Sequence, residues 1–217
     1  MNSAALSAPV DAPRPIANFS PIAYIRYSRI ANTGSVVAGS KSNPQVVLRP
    51  QDLVVLLRLA LERGPAPAYA ALAADLGMTA SEVHGAVERA VIAQLAHKDP
   101  NGKAVVIFAA LRLFVQQGAR YSFPATRGSL TRGRPTGYAA PPLNASIRPG
   151  PDPVPVWPHK NGTVRGVAFH PLYPSVPDAA VRNPALYELL ALFDAIRGGN
   201  ARERKLAIDL LDKRLQA

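Results

Sequence analysis

The sequence predicts an α+β chain, and three observations carry that expectation. Apolar residues recur at helical spacing between residues 50 and 96 and again after Pro184. An Asp99-Pro-Asn-Gly102 turn separates two short apolar segments. Eleven of the 22 prolines crowd between Pro135 and Pro177, where only short strands and irregular chain fit.

Residues 1–47 are rich in Ser, Ala, Pro and Asn and carry Arg14, Arg26, Arg29 and Lys41. They read as a basic flexible arm or linker, with one short strand at Ile22–Ile30. Residues 48–118 change character. Pro50 occupies a first helical position and Gln51 to Arg63 follow without a breaker, with Leu53, Leu56, Leu57, Ala60 and Leu61 on one side. Gly64-Pro65-Ala66-Pro67 ends this helix. Two more follow, at about Ala68–Leu76 and Ala80–Leu95. His97 to Val106 read as a hairpin, with Asn101-Gly102 as a type I′ pair. Ile107 to Gln117 form a further helix that Gly118 stops. Residues 119–183 form a Pro-rich region of short strands, at Arg120–Phe123, Val154–Trp157 and Thr163–Phe169, with an Asn161-Gly162 hairpin joining the last two. Residues 184–217 give two C-terminal helices, Ala185–Arg197 and Ala201–Leu215.

Residues 69–86 carry the most information. Two short helices crossing at a tight turn need a small residue at their closest approach and a residue tolerating positive φ in the turn. Ala73 and Gly77 supply these. Leu72, Leu76, Met78, Val83 and Ala86 fall on the inward positions, and Thr79-Ala-Ser-Glu82 is a capping box that starts the second helix. The spacing Ala73, Gly77, Val83 resembles the helix-turn-helix pattern of bacterial regulators. With a helix before it and a hairpin after it, the stretch resembles a winged helix domain. Leu72-Ala-Ala-Asp-Leu-Gly-Met-Thr79 is similar to the corresponding segment of the MarR and ArsR families of transcription regulators. The resemblance covers residues 48–118, and the remainder matches no family by its motifs. It implies duplex DNA as partner, read by the helix at Ala80–Leu95.

On that helix the resemblance makes Thr79, Ser81, His84, Gly85 and Arg89 the candidate DNA contacts, with Arg89 suited to guanine through its forked donors. His97, Lys98 and Lys103 stand on the hairpin, where point charges suit phosphate. The net charge is +11, and no acidic residue lies between Asp99 and Asp152, a stretch holding seven basic ones. Within it Arg127, Arg132 and Arg134 either thread a groove of the DNA or pair with Asp152, Asp178 or Glu188. Such regulators usually dimerise, because one reading helix covers too few base pairs. The leucines of the closing helices suit either a homodimer interface or their own core.

Several classes are excluded or disfavoured. The chain has no cysteine, so thiolate metal sites, disulfides and cysteine nucleophiles are impossible. It has no GxSxG, P-loop or dinucleotide-binding pattern. His84, His97, His159 and His170 lack metal-ligand spacing. No catalytic residue, metal or cofactor is therefore expected. No apolar run reaches the roughly 20 residues of a membrane span, and the first 15 residues do not form a signal peptide, so a cytoplasmic location is expected. The function expected is a sequence-specific DNA-binding regulator, a repressor. The alternative is an antitoxin-like protein that grips a partner protein and autoregulates its operon.

Overall fold

The computed structural model describes residues 45–62 and 64–216, and the expectations for the arm, including the strand at Ile22–Ile30, lie outside them. The architecture is mixed α+β. Helices α1 (Pro50–Leu59), α2 (Tyr69–Leu76) and α3 (Ala80–Ile92) lead into a hairpin of β1 (Ala96–Lys98) and β2 (Ala104–Val106). Helices α4 (Phe108–Leu113) and α5 (Ala119–Ser122) follow, then strands β3 (Arg127–Pro135), β4 (Pro155–Pro158) and β5 (Val164–Phe169). Helices α6 (Val176–Arg182), α7 (Pro184–Gly198) and α8 (Ala201–Gln216) close the chain.

Two helices are apolar nearly all round, as a helix in the middle of a core must be. In α1, Leu53 to Leu57 are all buried, and in α7 every residue from Leu189 to Ile196 is buried. They pack on each other, α8 and α5 flank α7, and α6 bridges α7 to α2. One hydrophobic core therefore runs across the expected boundaries at 118/119 and 183/184, and the described residues form one unit. The leucines of α7 are consumed inside their own chain. Asn183 caps that helix by accepting from the Leu186 amide at 2.9 Å.

Three local expectations are corrected. First, Gly118 does not stop a helix. Phe114–Gly118 form a π turn and the helix continues through α5, so the strand expected at Arg120–Phe123 is helical. The Phe114 ring lies over Gly118, 3.1 Å from where a Cβ would stand, so the glycine makes room for a ring. Second, the β1–β2 loop is not a two-residue type I′ turn. Lys98 pairs with Ala104, leaving five residues between the strands. Asp99 Oδ1 accepts from the amides of Asn101 (2.9 Å) and Lys103 (2.7 Å), and Gly102 takes the positive φ. The aspartate organises the loop.

Third, Asn161-Gly162 does not join β4 and β5 as a hairpin. The two strands run parallel to each other, and each is antiparallel to the nine-residue β3, closing a three-stranded barrel. The first part of β3 pairs with β5, and Gly133 to Pro135 pair with β4. So small a barrel requires backbones to nearly touch. A Cβ on Gly133 would sit 2.1 Å from the Trp157 carbonyl oxygen, and one on Gly162 would sit 2.4 Å from the Gly133 Cα. The Asn161-Gly162 turn folds over Gly133 instead of closing a hairpin.

A buried ion pair fixes the barrel to α7. Asp194 and Arg197 have side chains only 2% and 4% exposed. The Asp194 carboxylate accepts from Trp157 Nε1 (2.6 Å), Thr136 Oγ1 (2.7 Å) and Arg197 Nε (2.8 Å). Burial pushes this carboxyl up from its ordinary pKa, while Arg197, Thr136 and Trp157 pull it down. Arg197 also donates to the His170 carbonyl at 2.7 Å and lies over the Phe169 ring. Replacing Asp194 with Ala strands a buried guanidinium and two buried donors. A loss of about 3–5 kcal/mol is expected in chemical denaturation followed by the fluorescence of Trp157, the sole tryptophan.

Candidate nucleic-acid interface

Gly77 ends α2 in the left-handed region, with φ 65° and ψ 39°. The Met78 amide reaches back to the Ala73 carbonyl at 2.9 Å, closing the helix end in the manner glycine permits. Two residues later Thr79 caps α3. Its Oγ1 accepts from the Glu82 amide, and the Glu82 carboxylate accepts from the Thr79 amide at 2.8 Å. Leu72, Ala73, Leu76, Val83 and Ala86 are buried between the helices. This leaves Thr79, Ser81 and His84 exposed and Gly85 and Glu88 partly so. His84 meets the Tyr69 ring edge-on at 5.5 Å and lies 3.4 Å from Glu88.

Arg89 departs from its expected role. Its Nε and Nη2 donate to both oxygens of Asp52 on α1, at 2.8 and 2.6 Å. The Asp52 side chain is 1% exposed and that of Arg89 18%. The fork that suited guanine is filled by a carboxylate, and the pair locks α3 to α1. Gly85 sits close to this pair: a Cβ there would stand 3.2 Å from the Arg89 guanidinium, so the glycine accommodates the arginine. Sequence reasoning missed Asp52, which stands on α1, 37 residues from Arg89 in the chain.

The hairpin keeps His97, Lys98 and Lys103 exposed. Lys98 forms an ion pair with Glu88 of α3, which raises its pKa through that hydrogen bond. Glu88 thus faces Lys98 as well as His84. The Lys103 side chain has no partner among the described residues, while its amide is held by Asp99.

Residues 173–182, assigned no role from sequence, grip the turn before α3. Tyr173 OH donates to Glu82 at 2.7 Å, Ser175 Oγ to the Leu76 carbonyl at 2.5 Å, and Arg182 Nε to the Asp75 carbonyl at 2.8 Å. The Thr79 amide foremost, then Tyr173 and the Thr79 hydroxyl, hold the Glu82 carboxyl below its ordinary pKa.

The arginines of β3 separate into two kinds. Arg127 donates to the Gly198 carbonyl at 2.9 Å and lies over the Phe169 ring, so it is a tie to the end of α7. Arg132 is exposed, and Arg134 lies 4.9 Å over the Tyr187 ring beside an open cleft. None pairs with the carboxylates weighed from sequence: Glu188 takes Arg214, and Asp178 takes His159 at 3.0 Å. Among the described residues no three His, Asp or Glu side chains gather as a metal site, and no helix is long and apolar enough to cross a membrane. No family model, no curated protein and no solved structure matches this chain.

Two outcomes are expected. Replacing Arg89 with Ala leaves Asp52 buried and unpaired, and a loss of about 3–5 kcal/mol in a urea melt is expected, whether or not DNA is present. For Glu82, a depressed folded pKa means a contribution present above its ordinary value of 4.5 and lost as pH falls through the lower folded value. The protection factor of the amides at the α2–α3 turn, exchange compared with the intrinsic rate at the same pH, should therefore fall on acidification below about pH 4.5 in the native chain. In Glu82→Gln it should be lower already at neutral pH and lack that step.

Proposed function

We propose that the chain is a sequence-specific DNA-binding transcriptional regulator of winged helix-turn-helix type, a cytoplasmic repressor, and a binding protein instead of an enzyme. The observation that carries this reading is the presentation of α3. A left-handed glycine and a reciprocal cap set its first turn at the surface, with Thr79, Ser81 and His84 outward and apolar residues inward. The first residues of the second helix are the ones that reach base edges in such units. The β1–β2 hairpin beside it, with Lys98 and Lys103, supports its use as the wing. Base reading then falls to Ser81 and His84, because Arg89 is occupied.

A homodimer belongs to the proposal, since one such helix reads too little sequence alone. With the α7 leucines buried, the surface proposed for a second copy is the α4–α5 edge, where Leu113 and Tyr121 are 65% and 75% exposed. The same edge supports the second reading, an antitoxin-like protein holding a partner.

Selection from a pool of random duplexes tests the first reading. The full-length chain is expected to enrich one sequence, and its affinity to fall with salt at about −0.9 log units per phosphate neutralised. Ser81→Ala and His84→Ala should each cost about 1–3 kcal/mol on the enriched site and much less on random duplex. Failure to enrich any sequence, with salt-independent binding, would sink this reading.

A further inference from the structure

We propose that a groove formed by β3, β5 and α6 is a second DNA-contacting surface, which carries the phosphate backbone of a duplex whose bases are read at α3. The inference rests on the reading of the chain as a duplex-DNA binder, and it joins Arg165 and Arg182, which that reading does not use, to Arg132 and Arg134.

The placement of Arg132 and Arg165 works against stability. Arg132 and Arg165 are direct partners in the antiparallel β3–β5 ladder, so both side chains leave the same face of the barrel, their Cβ atoms about 5 Å apart. The neighbouring Gly133 and Gly166 are buried, which puts the two arginines on the outside. Like charges directly opposite each other across a ladder repel, and neither arginine meets a carboxylate among the described residues. The arginines that hold this chain together are each engaged: Arg58, Arg89, Arg112, Arg197 and Arg214 by an acidic partner, Arg127, Arg182 and Arg204 by backbone carbonyls. Two unneutralised guanidiniums held side by side suit an anion that approaches from solvent.

The surroundings extend this pair into a track. Arg132 and Arg165 line an open depression of about 340 Å³ with Thr163. Thr163 also lines the adjoining cleft of about 470 Å³, with Arg134, Arg182 and Asn161. Arg134 stands two residues from Arg132 on the same face of β3, about 7 Å along the strand. The one carboxylate lining either depression, Asp178, is held by His159. Arg182 ends the track at the helix-turn-helix unit, donating to the Asp75 carbonyl just before Gly77. The groove is thus continuous with the turn that presents α3, so a duplex docked at α3 has cationic surface beyond it. Its length, openness and hydroxyl and amide donors suit a repeated phosphate chain.

The test uses the full chain and a random-sequence duplex of 30 base pairs, with binding measured between 50 and 200 mM salt. The double variant Arg132→Gln, Arg165→Gln is expected to bind more weakly at 50 mM and to lose about two units of salt slope. Its affinity should then fall about tenfold less than that of the native chain over this fourfold rise in salt. Its melting temperature should be unchanged or higher, because a repulsion has been removed; a purely structural role predicts a lower one. Equal affinity and slope for variant and native chain would overturn the groove and leave the α3 reading standing. Loss of binding in the groove variant, with Ser81→Ala and His84→Ala without effect on any duplex, would support the groove and overturn base reading by α3. A native chain that binds no duplex at 50 mM overturns both.

Discussion

The buried Asp194–Arg197 pair is the constraint on which the C-terminal half depends. Two opposite charges in a dry interior are tolerated only when every remaining donor and acceptor is satisfied. Here the carboxylate takes Trp157 from β4 and Thr136 from the end of β3, while the guanidinium reaches the His170 carbonyl after β5. All three strands of the barrel are therefore referred to one turn of α7. That suits a barrel too small to hold a core of its own, whose strands meet at glycines. The ion pair gives the strands a fixed seat, and α7 in turn is seated against α1.

The division of labour among the arginines follows from the same economy of charge. A chain with 25 basic and 14 acidic residues cannot neutralise all its cations internally. The available carboxylates are taken where helices must be joined: Asp52 for α1 and α3, Asp75 for α1 and α2, Asp212 for α4 and α8, Glu188 for α7 and α8. Part of the surplus stands on the barrel face, where Arg132 and Arg165 meet no carboxylate among the described residues. Charge that does not hold the fold is free to meet a polyanion.

The helical parts were legible in the sequence because their signals are local. Gly77, the Thr79–Glu82 cap, Pro184 and the apolar spacing of α1, α3, α7 and α8 each state their own geometry within a turn or two. The barrel was not legible, because its determinants are pairs distant in sequence. Gly133 is small for Trp157 and Gly162, and Gly166 for Val154, and nothing near each glycine says so. The same distance hid the fate of Arg89, 37 residues from Asp52. It also hid the hold of Tyr173 on Glu82, 91 residues away. Gly118 misled for a different reason. A glycine after a helical pattern commonly ends it, and here it makes room for a phenyl ring from the turn before.

The packing of α1 against α7 has a consequence for synthesis on the ribosome. Leu53 to Leu57 emerge first among the described helices, yet the helix that covers them begins at Pro184. Until α7 is made, the nascent chain holds an apolar helix with an incomplete cover. Chains cut short before α7 would expose that helix to proteases. A product shortened before α7 would therefore be cleared before it accumulated.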